Sequence, residues 1–317
     1  MKRLLLLALI TLVLVFFLTA CFFPYLPVTK KDLGNDKQSN IKTTSPTKTQ
    51  PTERQKTIAT TTKPDDNGAV IKGNSILLDR DGLVIVAKEL KKGDLFGGID
   101  LKLLFENNTE KNLVITFKEL TVNNFMLDQT YFRSTITPGN KANETINISS
   151  SFLEDAGINE IEYFFMIFGV FENDLRTHLY DSEEVELKTS LYGTAKSNTA
   201  PAGIELLNER GIRIVATYVE EGSPGFAKVA TYIENNCGSD IEVSIKSISV
   251  NGYMVDGFMF CEVNDGREAV DTINILQSDL KDNDIEKFVD IELSFEISEK
   301  DTWRTIFKTD PISFTVP

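Results

Sequence analysis

At 317 residues, with 33 basic and 47 acidic side chains, the chain has a formal charge of −14 at neutral pH. That balance disfavours nucleic acid and anionic lipid headgroups as partners. With Cys21 assigned to an amino-terminal motif, Cys237, Cys261 and the single histidine, His178, fall short of the four ligands of a histidine–cysteine zinc centre, and neither a serine elbow nor a phosphate-cradling glycine loop is present; no cofactor is expected.

Lys2 and Arg3 precede a run from Leu4 to Leu18 that is apolar apart from Thr11 and leads into Leu18, Thr19, Ala20 and Cys21. A charged start, a short apolar core and a small-residue exit predict a signal peptide over residues 1–20. The last four residues resemble the lipobox of bacterial lipoproteins, which implies that Cys21 becomes the first mature residue and carries a diacylglyceryl group. The alternative is a spanning helix, which wants ~20 apolar residues. The run is fifteen residues long, and Thr19 and Pro24 oppose its extension through Phe22 and Phe23. Two acyl chains give lasting residence where one does not, because each buried methylene contributes ~0.8 kcal/mol. The expected location is the extracellular face of the cytoplasmic membrane, with the membrane contacted through the lipid on Cys21.

Residues 21–72 follow as a linker. From Thr29 to Asn67 it is rich in Thr, Lys, Gln, Ser, Asn and Pro and nearly devoid of aromatic residues, so it cannot offset the entropy of ordering. Phe22 to Lys72 holds nine basic against five acidic residues, which leaves the negative charge to the rest of the chain. A coil of ~50 residues has an end-to-end distance of roughly 40 Å, so the folded part is expected to stand off from the bilayer.

Beyond the linker one pattern runs twice. Leu77-Leu78-Asp79-Arg80-Asp81-Gly82-Leu83 returns as Leu206-Leu207-Asn208-Glu209-Arg210-Gly211-Ile212. Glu106-Asn107-Asn108 returns as Glu234-Asn235-Asn236, and Val122-Asn123-Asn124-Phe125-Met126 as Val250-Asn251-Gly252-Tyr253-Met254. Gly139 and Thr145-Ile146-Asn147-Ile148 return as Gly266 and Thr272-Ile273-Asn274-Ile275. The constant offset, near 128, indicates duplication: residues 73–192 and residues 203–317 are two copies joined through Tyr192 to Ala202.

In the first copy, strands are expected near Ile76–Leu78, Leu83–Leu90, Ile99–Glu106, Leu113–Val122, Phe125–Phe132, Glu144–Ile148, Ile161–Phe171 and Thr177–Leu187. Ser151-Phe152-Leu153-Glu154 fits a capping box for one helical turn, with Ser278-Asp279-Leu280-Lys281 in the matching place. Short strands punctuated by Asn-Asn, Asn-Gly and Asp-Gly predict an all-β fold of two tandem β-sandwich domains. The chain resembles the tandem immunoglobulin-like β-sandwich lipoproteins of Gram-positive bacteria, including uncharacterised clostridial ones. That resemblance covers Ile71 to Pro317, lacks the Cys-Trp-Cys set of antibody domains, and implies an extracellular role.

Asp79-Arg80-Asp81-Gly82 has the alternating carboxylates of a calcium loop. The second copy drops the acidic pair and keeps the glycine, as a hairpin turn requires. His178 lies beside Arg176-Thr177, whose counterpart Arg304-Thr305 lacks an imidazole, so no catalysis is expected. Trp303 is expected to pack at a strand edge, and Asp181, Glu183 and Glu184 to form a solvated approach to the last strand. An Asn251-Gly252 hairpin would put Cys261 opposite Glu242 and bring Cys237 to the same end; a disulfide and two inert thiols both fit.

One difference between the copies stands out. Ile291, Leu293, Phe295 and Ile297 alternate with the polar Asp290, Glu292, Ser294 and Glu296. In the first copy Phe164, Met166, Phe168 and Val170 alternate instead with Tyr163, Phe165, Ile167 and Gly169. An apolar outer stripe calls for cover, so Tyr163, Phe165 and Ile167 are expected at an interface, either between the copies or with an envelope protein. The apolar stretch from Tyr253 to Phe260 matches Phe125 to Phe132 and is expected in the core. The expected function is a non-catalytic binding or structural module of the cell envelope. The alternatives are an accessory or adaptor subunit of a membrane-bound complex and, more remotely, an envelope enzyme whose site has no known motif.

Overall fold

The computed structural model describes residues 30–33, 69–71, 74–93, 97–128, 132–194, 200–221 and 225–316. The expected signal peptide, Cys21 and most of the linker lie outside these. Among the described residues no helix is long and apolar enough to cross a membrane.

The fold is all-β with two short helices. Strand β1 (Lys30–Asp32) lies within the stretch expected as linker. The first copy contributes β2 (Ser75–Arg80), β3 (Leu83–Lys92), β4 (Ile99–Asn107), β5 (Leu113–Val122), β6 (Phe125–Met126), β7 (Ser134–Ile136) and β8 (Lys141–Ile148). Helix α1 (Ser150–Asp155) then leads to β9 (Tyr163–Glu172), β10 (His178–Asp181) and β11 (Val185–Lys188). The second copy opens with β12 (Ile204–Glu209), β13 (Ile212–Glu220), β14 (Phe226–Asn235), β15 (Ile241–Val250) and β16 (Tyr253–Met254). It continues through β17 (Gly257–Phe258), β18 (Phe260–Val263), β19 (Arg267–Leu276), α2 (Gln277–Asp282), β20 (Asp290–Glu299), β21 (Thr305–Lys308) and β22 (Ile312–Thr315).

Each copy sets two sheets around one apolar cluster, a sandwich-like arrangement. In the first, the sheet β2-β3-β4-β8 meets the sheet carried by β5 and β9, and Ile85, Leu101, Phe105, Phe164, Met166 and Phe168 fill the space between. The alternation read in β9 holds: Phe164, Met166, Phe168 and Val170 are all fully buried. Side chains of this size contribute ~1.5–3 kcal/mol each relative to exposure. In the second, β12, β13, β14 and β19 face β15 and β20 around Ile214, Ile233, Val243, Ile273 and Phe295.

The duplication extends to the irregularities. The register shift between β2 and β3 at Ile76/Leu78 recurs between β12 and β13 at Glu205/Leu207. The shift at Ala87/Glu89 recurs at Ala216/Tyr218, and that at Phe117/Glu119 at Ile245/Ser247. Two buried asparagines explain the repeated motif. Asn107 donates to the carbonyls of Lys111 and Ile136, both at 2.8 Å, and accepts from the Thr109 N–H at 2.9 Å. Asn235 does the same with Ser239, Val263 and Cys237, at 2.8, 2.8 and 3.1 Å. Each tethers a loop by pairing with backbone groups that lie outside the strand ladders.

The expected turns are in place. Asp81-Gly82 and Arg210-Gly211 have both residues at positive φ and join β2 to β3 and β12 to β13. Asn123-Asn124 and Asn251-Gly252 do likewise for β5–β6 and β15–β16. Five expectations need correction. The single strand expected over Phe125–Phe132 is the two-residue β6, after which the chain leaves the hairpin; Thr177–Leu187 is likewise split into β10 and β11. In the second copy β17 crosses to pair with β19 before β18 returns to β15, so Cys261 stands opposite Val243 rather than Glu242. The cap of α1 is Ser149, whose hydroxyl accepts from the Phe152 N–H at 3.2 Å, and not Ser151. Leu276 at the start of α2 supplies no side-chain cap.

Candidate binding site at the seam between the copies

The β5–β6 hairpin of the first copy reaches across and seats against the second. Phe125 pairs in parallel with Glu268 of β19, which makes β6 the link in a twelve-stranded sheet spanning both copies. The Phe125 ring, 3 % exposed, lies 5.9 Å from that of Tyr232. Asn124 donates to the Gly266 carbonyl at 2.9 Å and accepts from the Glu268 N–H at 3.2 Å, while the Met126 sulfur accepts from the Asn264 N–H at 3.2 Å.

Arg267, at the head of β19, fastens this seam. Its Nε bonds Glu119 at 2.7 Å, Nη1 donates to Asn124 at 3.1 Å, and Nη2 pairs with Glu184. The guanidinium lies 4.7 Å from the centre of the Phe165 ring. Glu119 is buried and accepts a second bond from Asn264, to which Lys300 donates at 3.2 Å. A planar fork with fixed donors suits this mixture of carboxylate, amide and aromatic face.

The stripe read from the sequence therefore lies partly at the seam. Phe165 faces Arg267; Tyr163 packs on Phe165 and Tyr192 with ring centres 5.0 and 6.0 Å away; Ile167 stands opposite Glu119 in the β5–β9 ladder. Neither Arg267 nor Glu119 was signalled by a motif. Their positions in the other copy hold Asn140 and Ser247, so a charge comparison between copies is the signal that finds them.

Beside the clamp lies a cleft of ≈ 600 Å³, with Phe117 and Phe152 from the first copy, Phe260 and Lys300 from the second, and Asp271 among its walls. A second cleft of ≈ 220 Å³ shares Phe152 and Asp271 with it. Burial raises the Asp271 carboxyl above the usual range, against the lowering effect of hydrogen bonds from the Thr272 N–H and the Cys261 thiol. Burial, with Asp271 nearby, pushes the Cys261 thiol far up, so it stays protonated and is a poor nucleophile. Glu268 is also raised, by burial first, with bonds from Tyr232 and Asn124 opposing. Aromatic walls, a buried carboxylate and a lysine make a surface for recognition of an amphipathic ligand.

The remaining expected sites fall elsewhere. Cys237 and Cys261 are both free; the Cys237 sulfur is 3.4 Å from the Ser239 carbonyl, while Cys261 is buried against Asp271. His178 is exposed, hydrogen-bonded to Asp181 at 2.9 Å and set against the Phe171 ring, apart from the residues of the cleft. Trp303 is not packed in an edge but 65 % exposed, in contact with Phe260. Glu184 joins the clamp rather than facing solvent alone. Of the apolar stretch expected in the core, Val255 and Met259 are buried, whereas Tyr253, Met254, Phe258 and Phe260 are exposed. Among the described residues no group of three or more potential ligands could hold a metal ion.

No protein-family model and no curated protein matches the chain. Solved structures with some likeness include a conserved domain protein from Bacillus anthracis, at 10 % identity and a TM-score of 0.27, over 80 % of this chain and 93 % of that one. Another is the Salmonella enterica SafA pilin in complex with the SafB chaperone, at 11 % identity and a TM-score of 0.19, over 68 % and 88 %. A Bacteroides uniformis beta-glucuronidase gives 10 % identity and a TM-score of 0.22 over 68 % of this chain and 26 % of that chain. Scores this low transfer no activity.

Proposed function

We propose that the chain is a lipoprotein held at the extracellular face of the cytoplasmic membrane through Cys21, and that it acts as a non-catalytic binding module of the cell envelope. In this reading residues 73–192 and 203–317 are tandem immunoglobulin-like domains, and the cleft at their seam is the recognition surface for an envelope partner. The observation that carries it is the clamp of Arg267 on Glu119, Asn124, Glu184 and Phe165, which holds the cleft walls from two copies in one arrangement. Preorganised walls reduce the ordering cost of binding. The neutral, buried thiol of Cys261 and the placement of His178 support a role without catalysis. The adaptor reading would have used the Tyr163–Ile167 stripe; Phe165 is engaged by Arg267 inside the chain, which favours the cleft instead.

Two measurements on intact cells test this. Cys21→Ser should release the protein from the membrane fraction; unchanged retention removes the anchor. A photoreactive side chain in place of Phe260 should capture a partner that one in place of the exposed Ile76 does not; equal capture at both removes the cleft.

A further inference from the structure

The seam uses one donor hairpin and one acceptor edge, and the duplication supplies a second set of each. The used donor is Asn123 to Met126 and the used acceptor is the start of β19. The second donor is the β15–β16 hairpin, where Tyr253 and Met254 are 52 % and 68 % exposed, against 3 % for Phe125. Val289, whose N–H is bonded to Asn251 of the same turn, adds another apolar side chain at 59 % exposure, where the first copy has Glu162. The second acceptor is the start of β8, the equivalent of β19. Among the described residues β8 pairs with β4 alone, and Lys141, Asn143 and Thr145 along it are exposed.

We propose that the Tyr253–Met254 hairpin docks on the β8 edge of a second copy of this chain, repeating the internal seam between molecules. One partner offers its carboxy-terminal copy and the other its amino-terminal copy, so the contact is head-to-tail and open-ended rather than closed. The internal register fixes the pairing. Phe125 opposite Glu268 becomes Tyr253 of one molecule opposite Lys141 of the next. The contact of Arg267 with Phe165 becomes Asn140 against Glu292, and Ser247 takes the place of Glu119. Without the buried guanidinium–carboxylate pair the intermolecular contact is weaker than the internal one and depends on concentration.

Cysteine trapping tests the register with full-length chains in a Cys237→Ser background. A Tyr253→Cys chain mixed with a Lys141→Cys chain should form the mixed disulfide at least about ten-fold more than when the second chain carries Ile76→Cys. Sedimentation of the Cys21→Ser chain should show mass rising with concentration, and Met254→Asp should abolish the rise without changing the melting temperature. A mixed disulfide no more frequent than with Ile76→Cys, or a chain that stays monomeric at every concentration, overturns the proposal. Either result would leave the cleft at the internal seam untouched, since capture at Phe260 reads that site separately.

Discussion

Glu119 shows how much a single partner matters at the seam. Its side chain is 6 % exposed and that of Arg267 14 %, so both charges are largely out of water. Such a pair adds little net stability over a hydrophobic pair of the same shape, yet losing one partner strands the other. Arg267→Ala is therefore expected to cost about 3–5 kcal/mol in urea unfolding, and adding Glu119→Leu should recover most of it. A single variant with unchanged stability would mean that the clamp holds nothing. Little at this scale was legible in advance. Phe165 was found because an apolar residue replaced a polar one between copies, whereas Arg267 and Glu119 sit in ordinary-looking contexts, and their pairing depends on how the copies meet.

Among the elements, turns were the most legible parts and strand ends the least. Asn123, Asn251, Asp81 and Arg210 all occupy positive φ at hairpins whose sequences announce them, because Gly, Asn and Asp adopt that conformation most readily and all four turns carry at least one of them. The fate of the chain after β6 and β16 was not legible. An apolar stretch such as Tyr253 to Phe260 reads as one buried strand, while its backbone switches between two sheets and turns half its side chains outward. The repeated Asn107 and Asn235 were visible as a motif, but their work as buried loop tethers was not. Asn235→Ala leaves two carbonyls and one N–H without their partner and is expected to cost roughly 2–4 kcal/mol, measured by denaturant unfolding. Asn236→Ala, on an exposed neighbour, should cost under about 0.5 kcal/mol.

At the scale of the whole molecule, β1 ties the stretch expected as linker to the second copy. Lys30, Lys31 and Asp32 pair with Glu220, Val219 and Tyr218, the Leu33 N–H donates to Thr217 at 2.9 Å, and the Leu33 side chain is buried in the second cluster. By composition Thr29 to Asn67 reads as one flexible stretch, rich in polar residues and nearly devoid of aromatic ones. A lone leucine after Lys30-Lys31-Asp32 carries no pattern, and the open half of the β13 edge that receives it is a tertiary feature. Leu33→Asp is expected to raise hydrogen exchange at least about ten-fold across Tyr218–Glu220, while Ile212–Ala216, paired to β12, keeps its protection. Equal exchange in both chains would mean that β1 does not cover this edge.

If Cys21 is the lipid attachment point, the covalent path from acyl chains to folded protein ends at Lys30 and not at Lys72. At roughly 3.5 Å per extended residue that path is at most about 30 Å long. The mooring line is short and is fastened to the rear carriage of the train: the half synthesised last rides nearest the lipid, and the half synthesised first is the one left to lean outward.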